Sequence, residues 1–175
     1  EFMRWVPQVY VDQHGEVESY FFPPTAMAVN VNVDRARYER WTQIFGRATA
    51  EAFDRRGYGY YIRGVFDFYS PVYLDTFATL NGAIGLTHET EAAAVRLINA
   101  DGSERTLLGA MSKHLTSALA VIESAGLRRE ELQKDFMSYR AQARDASKLG
   151  DKRFIVMATE DAKKAAKLLD NLQAM

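Results

Sequence analysis

Two short apolar segments each lead into residues able to do chemistry. Trp5-Val6-Pro7-Gln8-Val9-Tyr10-Val11 runs into Asp12-Gln13-His14-Gly15, and Gly82-Ala83-Ile84-Gly85-Leu86-Thr87 runs into His88-Glu89. Both segments read as buried strands. Open α/β sheets bind ligands in the crevice beyond the carboxyl ends of their strands, so His14 and Glu89 stand where a ligand would be met. Neutral imidazole is the commonest metal ligand, and Asp12, two residues earlier on the same strand face, is placed to orient it. A carboxylate beside a metal, but not bound to it, can take a proton from metal-bound water. One imidazole and one carboxylate are thus the minimum parts for metal-assisted hydrolysis. Each also has an ordinary structural role open to it: a hydrogen-bonded turn histidine for His14, and an ion pair with Arg63 or Arg96 for Glu89.

Other candidates carry less. His88-Glu89-Thr90-Glu91 has the His-x-x-Glu spacing of zinc sites, but neighbours on a strand point to opposite faces, so His88 reads as a packing residue. His114 lies in an amphipathic stretch with no His or acidic partner at metal spacing, and reads as a helix-surface or core histidine. Tyr58, Tyr60, Tyr61, Phe66, Phe68, Tyr69 and Tyr73 are dense enough to fill core or to line a cleft. In a cleft, Tyr69 or Tyr73 would bind a carboxylate or stabilise an oxyanion through its hydroxyl. The chain has no glycine-rich phosphate loop, no serine nucleophile elbow and no cysteine.

The elements that must position these groups follow from periodicity and caps. Residues 35–56 form a helix capped by Asp34 and stopped at Gly57, with Tyr38, Trp41, Ile44, Phe45, Ala48, Ala52 and Phe53 facing the core. Residues 58–73 give a short strand and a loop, residues 76–81 a turn, and residues 92–98 a strand closed by a turn at 99–102. Ser103 caps a long helix whose Leu107, Leu108, Met111, Leu115, Leu119 and Ile122 share one face, ending at Gly126. Residues 128–149 form the next helix, with Leu132, Phe136, Tyr139 and Ala143 spaced toward the core. Residues 154–157 give a short strand, and Thr159 caps a last helix to Leu172.

These 175 residues, 47% hydrophobic and 26% charged, suit one domain with a small appendage. The division expected is a partial α/β domain at 1–149 and the β-α start of a further module at 150–175. A net charge of -1 gives no electrostatic footprint for nucleic acid or an anionic membrane. No apolar run approaches the roughly 20 residues that span a bilayer. Lack of cysteine excludes a disulfide scaffold and thiolate metal sites. A sheet that stops inside a module leaves an unpaired edge or an apolar face, so self-association is expected.

Several blocks resemble the zinc carboxypeptidases of the M14 (carboxypeptidase A-like) type, especially large bacterial members. They are Val9-Tyr10-Val11-Asp12-Gln13-His14, Tyr20-Phe21-Phe22-Pro23-Pro24, Ala52-Phe53-Asp54 with Gly57, Phe66-Asp67-Phe68-Tyr69-Ser70-Pro71-Val72-Tyr73, and Thr79-Leu80-Asn81-Gly82-Ala83-Ile84-Gly85-Leu86-Thr87-His88-Glu89. The most specific is Leu-Asn-Gly-Ala-Ile-Gly before the glutamate, and the likeness runs over residues 5–89. The resemblance implies an α/β fold with a mixed, largely parallel sheet flanked by helices, corresponding to the C-terminal half of that family's fold. It implies zinc as cofactor and a peptide as substrate, and makes His14 the third zinc ligand and Glu89 the base that activates zinc-bound water. Tyr69 or Tyr73 becomes the substrate-binding tyrosine and Asp75 part of the side-chain pocket wall. The implied compartment is exported, periplasmic or extracellular.

The sequence also departs from that pattern. The family's own His-x-x-Glu and its carboxylate-binding arginines come before the third histidine, and the residues preceding His14 hold neither. Catalytic zinc sites use about three protein ligands. The expectation is therefore the C-terminal portion of a carboxypeptidase, inactive by itself. A rival reading is a non-catalytic module that binds a peptide or partner subunit through the aromatic cleft. A third, a metallophosphoesterase suggested by Asp12-x-His14-Gly15, lacks the further Asp, Asn and His clusters that two metals need.

Overall fold

The computed structural model describes residues 2–16, 19–25, 28–64, 66–91, 96–98, 102, 104–145 and 161–174. A single turn of helix, α1 (Phe2–Trp5), precedes strand β1 (Val9–Glu16), β2 (Tyr20–Phe21), helix α2 (Arg35–Asp54) and β3 (Tyr60–Tyr61). Then come α3 (Leu74–Leu80), β4 (Ile84–Glu91), β5 (Arg96–Ile98), β6 (Glu104–Thr106), and the helices α4 (Leu107–Leu127), α5 (Arg129–Arg144) and α6 (Ala162–Ala174). Four strands make a mixed sheet in the order β1-β4-β2-β3. The β1–β4 and β2–β3 pairs are parallel, and β2 runs antiparallel to β4. β5 and β6 form a separate antiparallel pair. The α/β class and the mixed sheet with its helices agree with the sequence expectation.

Helix α2 forms where caps and spacing place it. The Asp34 side chain accepts from the Arg37 amide at 3.1 Å, satisfying a donor with no partner inside the helix. Thr42 and Thr49, poor helix formers in mid-helix, return their hydroxyls to the carbonyls of Tyr38 and Phe45. The chain leaves the helix through Gly57, whose φ of +67° suits glycine. Trp41 and Phe45 then pack with Ile84 and Leu86 of β4, Val121 of α4 and Leu132 of α5.

Strand alternation divides the work of β4. Ile84 and Leu86 belong to the cluster with α2 and α4, whereas Gly85 and Thr87 meet α3 on the other face. A Cβ at Gly85 would collide with the Asp75 carbonyl oxygen and lie 2.6 Å from the Thr79 hydroxyl. Glycine at this position lets α3 sit against the strand, and the Thr79 hydroxyl accepts from the Gly85 amide at 3.0 Å.

Several elements differ from the sequence reading. The turn expected at 76–81 is mostly the helix α3, ending at Leu80. Its threonines are weak helix formers, but Thr76 and Thr79 are buried and bonded to Asp75, so tertiary packing overrides propensity. The long helix α4 starts at Leu107, capped by Thr106 accepting from the Gly109 amide at 3.0 Å. The expected cap Ser103 lies outside the described residues, as do positions 92–95 of the expected strand, 99–101 of its closing turn, the strand at 154–157 and Thr159. Helix α6 begins at Ala162, with the Asp161 carboxylate accepting from the Lys163 and Lys164 amides. In α5, Leu132 and Phe136 are buried as expected, but Ala143 is exposed.

The largest departure is the face of α4. Leu107, Leu108, Met111, Leu115, Leu119 and Ile122, expected to face the core, are all more than half exposed. The face that packs inward is made of smaller residues: Ala110, Thr116, Ser117, Ala120, Val121 and Ser124. Small side chains let α4 lie close against α2 and the sheet.

Candidate functional site

The parallel pairing of β1 with β4 sets His14 directly beside Glu89. Both strands continue two residues further, to Glu16 and Glu91, so neither residue marks a strand exit as the sequence suggests. Equivalent positions on paired strands point to one face, and Asp12, two residues before His14, shares it. The His14 Nδ1 atom is 3.9 Å from Glu89 Oε1, and its Nε2 is 3.1 Å from Asp12 Oδ2. The imidazole is held between two carboxylates. The His14 side chain is 55% exposed and that of Glu89 10% exposed, so the ring stands at the rim and the carboxylate lies deeper.

These residues line a cavity of about 380 Å³ together with Asp75, Thr87 and Tyr73. Phe66, Val72 and Leu74 supply apolar wall, and Asp67 adds a further carboxylate. Among the described residues lining it, His14 is the only group that can carry positive charge. The cavity field therefore favours cations and disfavours a free carboxylate.

Asp75 is almost fully buried in the first turn of α3. Its Oδ2 accepts from the Thr87 hydroxyl at 2.7 Å, and its Oδ1 from the Thr76 amide at 2.6 Å. Burial pushes the carboxyl above its ordinary pKa, against the lowering effect of those bonds, and the Asp12 charge adds to the rise. Asp75 is a rigid, well-bonded piece of wall. The two tyrosine candidates separate: the exposed Tyr73 lines the cavity, whereas Tyr69 does not, and its carbonyl accepts from the Asn30 side chain.

His88 is fully buried behind the site, with its ring edge-on to Tyr20 and Phe22. It packs, as strand alternation implies. Burial, reinforced by the nearby His114 ring, lowers its pKa to about 3, so the His88 ring is neutral.

Sequence reasoning missed the part played by His114. Helix α4 crosses β1 here, and the His114 Nε2–H donates to the backbone carbonyl of His14 at 3.0 Å. A carbonyl only accepts, so that bond fixes the tautomer and leaves Nδ1 to accept from the Tyr20 hydroxyl at 2.9 Å. Ser117 Oγ lies 2.6 Å from the same hydroxyl, and the Gln13 side chain donates to the His114 carbonyl at 3.0 Å. A hundred residues separate His14 from His114, and no local pattern links them.

No family model matches this chain, and neither does any curated protein or solved structure.

The donor set does not make a zinc site by itself. Among the described residues, no group of three or more His, Cys, Asp or Glu side chains is arranged to hold a metal ion. One imidazole flanked by two carboxylates can offer a nitrogen, but zinc at a catalytic site takes about three protein ligands. No helix among the described residues is long and apolar enough to cross a membrane.

Proposed function

We propose that this chain carries one side of a carboxypeptidase-like hydrolytic site, with His14 as a zinc ligand and Glu89 as the proton-handling carboxylate. The single observation that supports it is the in-register pairing of His14 with Glu89 on parallel strands, 3.9 Å apart over a shared cavity. Zinc, when bound, would supply Lewis acidity and an activated water. The described residues do not by themselves complete its coordination. Glu89 is placed to hold a proton at its Oε atoms, Asp12 to orient the His14 ring, and Tyr73 to offer a hydroxyl to a peptide in the cavity. Asp75 shapes the pocket wall. The substrate class is a peptide, and hydrolysis requires ligands and a carboxylate-binding cation that these residues do not provide.

A second reading is a non-catalytic module that binds a peptide or partner through the same cleft, favoured by the carboxylates and apolar wall of the cavity. An acidic cavity with an apolar wall would then select a basic segment.

Zinc titration of the full chain, followed by NMR of the histidine ring protons, tests the proposal. Expected are weak binding that moves His14 selectively, loss of that response in His14→Ala, and no peptide hydrolysis. Zinc that leaves His14 unmoved would remove its ligand role. Stoichiometric removal of a C-terminal residue by this chain with zinc would overturn the incomplete site.

A further inference from the structure

A second cavity lies between α2 and α4 and shares no residue with the one at His14. Its volume is about 560 Å³, within the roughly 300–1,000 Å³ of small-molecule sites. The two helices run antiparallel along it. Arg40 pairs with Glu131 just beyond α4, Phe45 packs with Val121, and Phe53 meets Tyr20, which bonds to Ser117. Ala48 and Ala52 of α2 and Ala120 of α4 are too short to fill the space between the helices. They leave a groove with Ile44, Leu119 and Leu127 as apolar wall.

Arg47, Arg55, Arg56 and Arg128 stand exposed along its rim. Among the described residues, none of these guanidinium groups makes a hydrogen bond or an ion pair. Glu51 and Glu123 oppose them, so four arginines against two glutamates leave the groove a net charge of +2. Arg55, Arg56 and Arg128 close helix C-termini, where cations are ordinary, but Arg47 in mid-helix has no such role. One polar group on the floor also stands out. Ser124 is 4% exposed, and among the described residues its Oγ has no hydrogen-bond partner. Thr116, in the same groove, returns its hydroxyl to the Ser112 carbonyl, the usual recourse in mid-helix. A buried hydroxyl without a partner is costly, and a ligand oxygen in the groove relieves that cost.

We propose that this groove binds a small organic phosphate monoester. Its phosphate is held by Arg47, Arg128 and the Ser124 hydroxyl, and its apolar body lies over the alanine floor. Ser124 is one turn before Arg128 on α4, and Arg47 reaches in from α2. Arginine forks pair with phosphate oxygens two bonds at a time. A phosphate monoester carries about -1.5 to -2 at pH 7, which matches the groove, whereas a carboxylate balances only half of its charge. Arg55 and Arg56 keep the potential positive toward the far end.

Calorimetric and NMR titration of the full chain with phenyl phosphate tests this. Expected is saturable 1:1 binding that shifts the Ser124 and Arg128 amides and is at least about tenfold tighter than that of inorganic phosphate or phenol. Arg47→Gln and Arg128→Gln, at exposed positions where folding should be undisturbed, should each weaken binding about tenfold. Ser124→Ala should weaken it several-fold while leaving urea stability unchanged or raised, because the hydroxyl has no partner in the free protein. Lower stability with unchanged affinity in Ser124→Ala would overturn the proposal. So would an absence of saturable binding, inorganic phosphate binding as tightly, or folded arginine variants that bind like the parent.

Discussion

The ring of His114 bridges two chain segments, donating to the carbonyl of His14 at 3.0 Å and accepting from the Tyr20 hydroxyl at 2.9 Å. The bridge ties α4 to the edge strand where the candidate ligand sits. Tyr20 is buried, and burial pushes its hydroxyl pKa well up, so it remains a donor at any ordinary pH.

His114→Ala should therefore cost more than the removal of a surface histidine. It removes one of two partners of the buried Tyr20 hydroxyl, which keeps Ser117 Oγ 2.6 Å away, and a penalty of about 0.5–1.5 kcal/mol is expected in urea unfolding. Tyr20→Phe in that background should cost less than Tyr20→Phe alone, because the two groups share one bond. Additive losses would show that the bridge contributes nothing. His ring chemical shifts provide a second readout, since His14 should move in His114→Ala.

His88 predicts acid sensitivity. Its folded-state pKa of about 3 lies below the ordinary 6.5, so the unfolded chain binds a proton that the folded chain refuses. Its contribution is fully present above pH 6.5 and is lost as pH falls toward 3, by on the order of 4 kcal/mol over that window. The ring's Nδ1 is also buried without a hydrogen-bond partner. His88→Phe keeps the edge-on packing against Tyr20 and Phe22 and removes the titration. Its stability should match the parent within about 1 kcal/mol at pH 7 and exceed it increasingly below pH 6. Parallel stability curves for the two proteins across that range would contradict the assignment.

Asp75 works with the opposite sign. Its carboxyl is raised by burial, so the folded state holds the proton more tightly than the unfolded one. That contribution is present below the ordinary pKa of 3.8 and is lost as pH rises through the folded value. Asp75→Asn, which keeps an oxygen for the Thr76 amide, should gain on the order of 1 kcal/mol at neutral pH. The gain should shrink on acidification. A variant destabilised equally at every pH would mean that hydrogen-bond geometry, not charge burial, dominates at this position.

Much of the architecture was legible locally. Asp34 and Gly57 bracket α2 because a cap and a left-handed exit are chemical properties of those residues. The separation of His88 from Glu89 followed from strand alternation alone. The two strands carrying His14 and Glu89 were visible as apolar runs, although their ends were drawn two residues short at His14 and Glu89.

Only the tertiary structure decided which strands are neighbours and in which register, and register is what brings two side chains 75 positions apart into one cavity. It also reversed the reading of α4. Periodicity shows that a helix has an apolar face, but burial depends on which face fits its neighbours, and here the narrow face of Ala110, Ser117, Ala120 and Ser124 packs inward while the leucines stay outside. The sequence thus determined the elements and their candidate chemistry through short-range rules of caps and alternation. The juxtaposition of His14 with Glu89, the hold of His114 on His14 and the bare stripe of α4 are long-range packing outcomes, encoded in no local pattern.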